Sequence, residues 1–172
     1  MTGSAAPPIV VVMGVTGSGK TTIGRMVATE LGVTFVDGDD FHDPANVERM
    51  QRGEPLDDAA RAPWLDRLNA ELRKHASDGV VLACSALKQS YRDRLIDGLP
   101  DSGGGARFVL LTTAPGLLRR RIDERTDHFA HSDLLPSQLA ALEPPRNALV
   151  VDVSASPDAV VAEVLDGLAR QS

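Results

Sequence analysis

The segment MGVTGSGKTT, residues 13–22, constrains this chain more than any other. It fits the pattern G-x-x-x-x-G-K-[ST], with Gly14, Gly19, Lys20 and Thr21 at the fixed positions. In that pattern backbone N–H groups turn inward on phosphate oxygens, and glycines permit the angles and the close approach. The helix that opens at Gly19–Lys20 aims its positive end at the same charge. Lys20 is expected to reach the β and γ phosphates, and the Thr21 hydroxyl to ligate Mg2+. The flanks meet the motif's demand. Ile9 to Met13 is a continuous apolar run that reads as a buried strand. TTIGRMVATELG reads as a helix with Ile23, Met26, Val27 and Leu31 on one face and Gly32 at its end. The residues expected around ATP are Gly14, Val15, Thr16, Gly17, Ser18, Gly19, Lys20, Thr21 and the first-turn residue Thr22. The loop alone leaves the fate of the terminal phosphate open: water, a protein, another nucleotide or a small metabolite.

Four more short apolar runs, at 33–37, 80–84, 107–113 and 147–153, alternate with helical patterns. One short helix is expected around 45–51, and one marked by Trp64, Leu65, Leu68 and Leu72. Residues 87–99 and the stretch from Pro115 also read as helical. The last helix has Ser156 as N-cap, Pro157 behind it, and Val160, Val161, Val164, Leu165 and Leu168 as its apolar stripe. Such alternation predicts an α/β fold, a five-stranded parallel sheet with helices on both faces. A chain of 172 residues suits one domain. Segments 39–77 and 125–142 read as insertions over the strand ends, with HFAHSDLLPSQ irregular. Residues 1–8 read as a frayed tail without the basic and apolar regions of a secretion signal.

A net charge of −6 argues against nucleic acid or an anionic membrane as partner. No apolar run approaches the roughly 20 residues of a membrane helix. The single cysteine, Cys84, allows no internal disulfide and fits a reducing cytosol. There is no N-K-x-D guanine-reading motif. Strands two and five end in acids, Asp37 and Asp152, whereas strand three ends in Cys84–Ser85. Asp37 and Asp39 stand at i and i+2, which on extended chain points both carboxylates the same way. At the rim of a parallel sheet one of them can serve Mg2+, directly or through water, and the other can take a proton from a hydroxyl.

The segments MGVTGSGKTT, DGDDFHDPANVERM, GEPLDDAARAPWL, CSALKQSYRDRLI and HFAHSDLLPSQLAALEPP, in this order, resemble the bacterial-type (thermoresistant) gluconokinase family. The resemblance covers nearly the whole chain. It implies a three-layer P-loop kinase fold related to shikimate and nucleoside monophosphate kinases, with sheet order 2-3-1-4-5. It implies transfer of the ATP γ-phosphoryl group to the 6-hydroxyl of D-gluconate, a mobile lid at about 125–136, and a homodimer. By position, Asp39 matches the residue at the accepting hydroxyl, and Asp37 lies nearer the metal. His42, Arg49, Arg61 and Lys88 match positions near the sugar acid. Arg121 and Arg125 lead into the lid, and His128 lies in it. The expected catalytic set is Lys20, Asp39 and Arg121. Where the family reads GHFM this chain has DHFA, and Ala60 replaces an acid.

Gluconate itself asks for a cation at its carboxylate. Arg61 or Lys88 can supply it, Arg being better suited to a bidentate grip. Ser85 and the backbone N–H groups after Cys84 can serve the same end. Other positions carry blander expectations. Trp64 and Leu65 read as packing, Arg119 and Arg120 as a solvated face, His75 and His131 as surface, and Cys84 as a buried filler. Arg92 reads either as a substrate contact or as an ion pair with Asp93 or Asp97. His42 reads either as a ligand or as packing. The loop after Asp152, with Ser154 and Ser156, is the expected place for adenine. Two alternatives remain open: a kinase of shikimate, a nucleoside monophosphate or another sugar acid, and a non-enzymatic ATP-binding switch.

Overall fold

The computed structural model describes residues 6–101, 104–125 and 132–171. Its five strands are β1 (Ile9–Met13), β2 (Thr34–Asp37), β3 (Val80–Ala83), β4 (Ala106–Thr112) and β5 (Ala148–Asp152). They form one parallel sheet in the order β2-β3-β1-β4-β5. Seven helices surround it: α1 (Lys20–Leu31), α2 (Pro44–Gln51), α3 (Asp58–Lys74), α4 (Gln89–Ile96), α5 (Pro115–Asp123), α6 (Leu135–Ala141) and α7 (Pro157–Arg170).

The central strand β1 is apolar throughout because both of its faces are covered. Alternate residues divide between two cores. Ile9, Val11 and Met13 join Trp64, Leu68, Leu72, Tyr91 and Leu95 on one side. Val10 and Val12 join Ile23, Val27, Val160 and Val164 on the other. With few aromatics available, β-branched and leucine side chains do this filling. The parallel register places the C-terminal ends of β1, β2 and β3 side by side, Asp37 opposite Ala83 and Val12 opposite Ala83. The phosphate loop, the DGD turn and the loop after β3 therefore leave the sheet at one rim.

Three local expectations need revision. Leu135 and Leu134 are buried, and α6 opens with Pro136 in its first turn, so the end of HFAHSDLLPSQ is ordered helix. A proline there starts a helix, because its missing N–H would have no intrahelical partner. Helix α3 begins at Asp58, earlier than its leucine pattern, since Asp57 caps it by accepting the Ala60 N–H at 2.8 Å. Pro63 is tolerated inside that helix, leaving a carbonyl on exposed Ala59. At the N-terminus Pro8 is tied down, its carbonyl accepting the Val80 N–H at 3.0 Å. Residues 1–5 of the expected tail and 126–131 of the expected lid, with Asp127, His128, Ala130 and His131, lie outside the described residues.

Candidate active site

Backbone geometry explains the glycines of the phosphate loop. Gly17 has φ +82°, and a Cβ there would stand 2.8 Å from the Leu118 carbonyl. Gly19 caps α1 at φ +89°. Within the loop, Lys20 Nζ donates to the Val15 carbonyl at 3.0 Å. Burial pushes the Lys20 ammonium below its ordinary pKa, and the Asp39 carboxylate partly offsets this. Thr16 and Ser18 are buried, and among the described residues their hydroxyl oxygens have no hydrogen-bond partner. Orphaned polar atoms of this kind cost about 1–3 kcal/mol each. A phosphate oxygen is a fitting partner for them, so the loop suits the group that its pattern implies.

β2 delivers the acidic pair, although not on extended chain. After Asp37 the backbone turns into a short 3-10 turn, Gly38–Phe41, capped by Asp37 Oδ1, which accepts the Asp39 N–H at 3.0 Å. Gly38 makes the turn possible, since a Cβ would lie 2.6 Å from the Ala83 carbonyl of the neighbouring strand. The two carboxylates consequently part company. Asp37 Oδ2 accepts from the Thr21 hydroxyl at 2.9 Å, and Asp39 faces a cavity. Thr21 and Asp37 thus form a hard-oxygen pair at the head of α1, the donor chemistry that suits Mg2+.

That inner cavity, about 50 Å3, is lined by Thr16, Lys20, Thr21, Asp39, His42, Arg61, Ser85, Arg125 and Gln138, among others. Two larger cavities flank it. One of about 470 Å3 is lined by Asp58, Arg61, Leu87, Lys88, Tyr91, Ser137 and Gln138 with their neighbours. It shares Arg61 and Gln138 with the inner cavity. The other, of about 320 Å3, runs from Ser18, Gly19 and Thr22 past Arg121 and Arg125 to Val153, Ala155 and Pro157. The loop after Asp152 thus faces the outer side of the phosphate loop. Asp152 itself stabilises that loop by accepting the Ser154 N–H at 2.7 Å.

The cations divide by environment. Arg61 is buried, its Nε donating to the Leu56 carbonyl at 3.2 Å. Among the described residues it has no carboxylate within ion-pair distance. Lys88 ion-pairs with Asp58 at 2.9 Å, and the Tyr91 hydroxyl donates to the same carboxylate. Arg49 lines neither cavity. Its guanidinium lies 3.7 Å from Glu54 and donates to the Pro55 carbonyl at 3.4 Å. Arg121 Nη2 donates to the Val153 carbonyl at 2.6 Å, so it stands on the outer side, whereas Arg125 lines both the inner and the outer cavity. Arg92 lines neither the inner cavity nor the 470 Å3 chamber, and among the described residues it makes no ion pair with Asp93 or Asp97. It is buried, with its guanidinium donating to the carbonyls of Ala86, Leu87 and Glu143. Arg119 and Arg120 are exposed, as expected, while His75 is half-buried beside Glu71.

His42 packs against the core and also borders the site. Its ring stacks on Trp64 at 4.2 Å, and it lines the inner cavity. Burial holds its pKa down at about 4, with Asp39 opposing and Arg61 adding to the shift. Trp64 is core and donates its indole N–H to the Gly38 carbonyl at 2.7 Å, which fixes the DGD turn. Cys84 is buried, its thiol pushed up to about 12. Gln138 lies within the segment HFAHSDLLPSQLAALEPP that carries the family resemblance, but no role was expected of it. It lies in α6, and its Oε1 accepts the Thr16 N–H at 2.7 Å across 122 residues of chain.

The family model described as an AAA domain matches residues 9–145. The gluconokinase of Gluconobacter oxydans is 48% identical over 165 residues, covering 92% of this chain and 90% of that protein. The crystal structure of a gluconokinase from Sinorhizobium meliloti 1021 superposes with a TM-score of 0.85 at 42% identity, covering 97% of this chain and 94% of the other. A shikimate kinase from Acinetobacter baumannii, in complex with shikimate, shares the fold at 16% identity and a TM-score of 0.62, covering 98% and 96% of the two chains. Identity this high over nine-tenths of the sequence, on the same parallel-sheet architecture, means that the chain belongs to the gluconokinase family.

Proposed function

We propose that this protein transfers the γ-phosphoryl group of ATP to the 6-hydroxyl of D-gluconate, giving 6-phospho-D-gluconate and ADP. One observation carries the reading. Lys20 of the phosphate loop and Asp39 line the same cavity, and that cavity shares the buried Arg61 guanidinium with a chamber of about 470 Å3. A buried guanidinium without a carboxylate partner among the described residues favours an anionic ligand. The sugar acid supplies one at the far end from its 6-hydroxyl.

Phosphoryl transfer needs alignment and charge neutralisation more than covalent help. Asp39 takes the proton of the accepting hydroxyl as the new O–P bond forms. Lys20 and Arg125 neutralise the charge of the transferring group. Arg61 holds the carboxylate, while Lys88, already paired with Asp58, shapes the chamber wall with Ser85 at its inner edge. His42, kept neutral by burial, packs on Trp64 and offers its ring to a substrate hydroxyl. Arg121 fixes the Val153 loop against which adenine rests. Thr21 and Asp37, the latter through water, would hold Mg2+, which when bound would neutralise phosphate charge. Residues 39–77 serve as the acceptor side and 125–136 as the lid. Arg49 takes part only if α2 moves inward.

The single cysteine suits a cytosolic setting, and from the resemblance come entry of the product into the pentose phosphate pathway and a homodimer, which sedimentation velocity tests. No helix among the described residues is long and apolar enough to cross a membrane. The test of function is ADP release with ATP, Mg2+ and a panel of acceptors: gluconate, shikimate, nucleoside monophosphates and no acceptor. Release that depends on gluconate is expected. Release with shikimate or a nucleotide instead, or nucleotide binding without any acceptor-dependent release, overturns the assignment.

A further inference from the structure

Gln138 stands where three parts of the molecule meet. Its Oε1 is occupied by the Thr16 N–H at 2.7 Å, which fixes the orientation of the side-chain amide. The residue lines both the inner cavity and the 470 Å3 chamber, a position that among the described residues it shares with Arg61 alone. The helix that carries it is anchored at both ends. After α6, the Glu143 N–H donates to the Leu87 carbonyl at 2.8 Å, and the Glu143 carboxylate accepts the Gln89 N–H at 2.8 Å. Arg92 holds the Glu143 carbonyl at 2.9 Å. Before α6, Leu134 packs with Met50 and Leu56. The amide is therefore presented from a fixed support, as a preorganised contact requires. With its oxygen committed to Thr16, the two N–H donors of Nε2 remain for the cavity side.

We propose that Gln138 is a specificity-determining residue for the acceptor: its Nε2 donates to an oxygen of the hydroxylated chain where that chain passes between the chamber and the inner cavity, while its Oε1 keeps the phosphate loop in register with it. This deepens the gluconate-kinase reading and rests on it. A site built to hydrogen-bond a substrate oxygen discriminates strongly against acceptors that lack it, because the donor is then left unpaired.

Two variants separate this role from simple support of the loop. Gln138→Glu keeps an acceptor for the Thr16 N–H and removes the donors, whereas Gln138→Met removes both. The KM for gluconate, the KM for ATP and kcat are measured for each. Equilibrium binding of a non-hydrolysable ATP analogue is measured alongside, and reports whether the fold and the phosphate loop are intact. In both variants the gluconate KM is expected to rise tenfold or more; analogue affinity stays within about threefold of wild type in Gln138→Glu, which keeps the Thr16 contact, and falls further in Gln138→Met, which loses it. A wild-type gluconate KM in Gln138→Glu, or a loss confined to analogue binding in both variants, overturns the proposal. Wild-type protein assayed in parallel distinguishes the failures: if it does not phosphorylate gluconate, the functional reading itself has failed.

Discussion

At the scale of single residues, chemistry follows from which polar groups the fold leaves without partners and which it has already satisfied. Arg61 and Lys88 were both candidates for the sugar-acid carboxylate, with Arg favoured on residue type for its bidentate grip. The Asp58 pairing takes up Lys88, and burial with no carboxylate in ion-pair distance among the described residues singles out Arg61. Asp39→Asn should cut kcat a hundredfold or more while ATP affinity is retained, the range expected when a positioned proton acceptor is removed. Turnover at the wild-type rate would eliminate Asp39 as the base. Lys20→Ala, by contrast, should weaken ATP binding and kcat together, which analogue binding and steady-state kinetics read separately. His42 makes a prediction about pH. Its folded pKa of about 4 lies below the ordinary 6.5, so the fold favours the neutral ring. The stability that goes with it is fully present above pH 6.5 and is lost as the pH falls towards 4. A shift of this size is worth about 3 kcal/mol. In His42→Phe, which keeps a ring against Trp64, the fall in unfolding free energy between pH 7 and pH 4 should be smaller by about that amount in urea titrations.

Among the elements, the loop between β3 and α4 illustrates how a site is held by groups that never touch substrate. Arg92 ties the carbonyls of Ala86 and Leu87 to that of Glu143, and so fixes the chamber wall to the end of α6. Leaving those buried carbonyls unpaired is expensive. Arg92→Met should lower the unfolding free energy by about 3 kcal/mol, the scale for breaking a buried hydrogen-bond network, as measured by denaturant unfolding. The 3-10 turn after β2 works in the same way. Trp64, from α3, holds the Gly38 carbonyl, and Gly38 tolerates no side chain beside Ala83. Together they set where Asp39 points.

For the whole molecule, the phosphate loop, the acidic turn and the loop after β3 converge because β1, β2 and β3 are parallel neighbours that all end at one rim. This is the usual place for ligands on such sheets. Binding at that rim should stabilise the entire fold. At a hundredfold excess over its Kd, a non-hydrolysable ATP analogue should add about 2.7 kcal/mol to the unfolding free energy. On a chain of this size that corresponds to a rise in Tm of about 5–10 °C, read by calorimetry. An unchanged Tm under saturating conditions would contradict nucleotide binding to the folded state.

The sequence by itself determined what depends on local pattern. The phosphate loop was legible because glycines, Lys20 and Thr21 stand at fixed spacing between an apolar run and an amphipathic helix. The strands were legible because a sheet covered on both faces demands continuous apolar segments, and the fold class followed from their alternation with helices. The tertiary structure alone decided how distant side chains spend their hydrogen bonds. It separated Asp37 from Asp39 by a turn that the spacing did not foretell. It moved Arg121 to the outer cavity and left Arg125 at the inner one, buried Arg92, and brought Gln138 onto Thr16. Spacing along the chain encodes neighbours within one element. Pairings across 50 to 122 residues depend on how elements pack, and no local pattern records them.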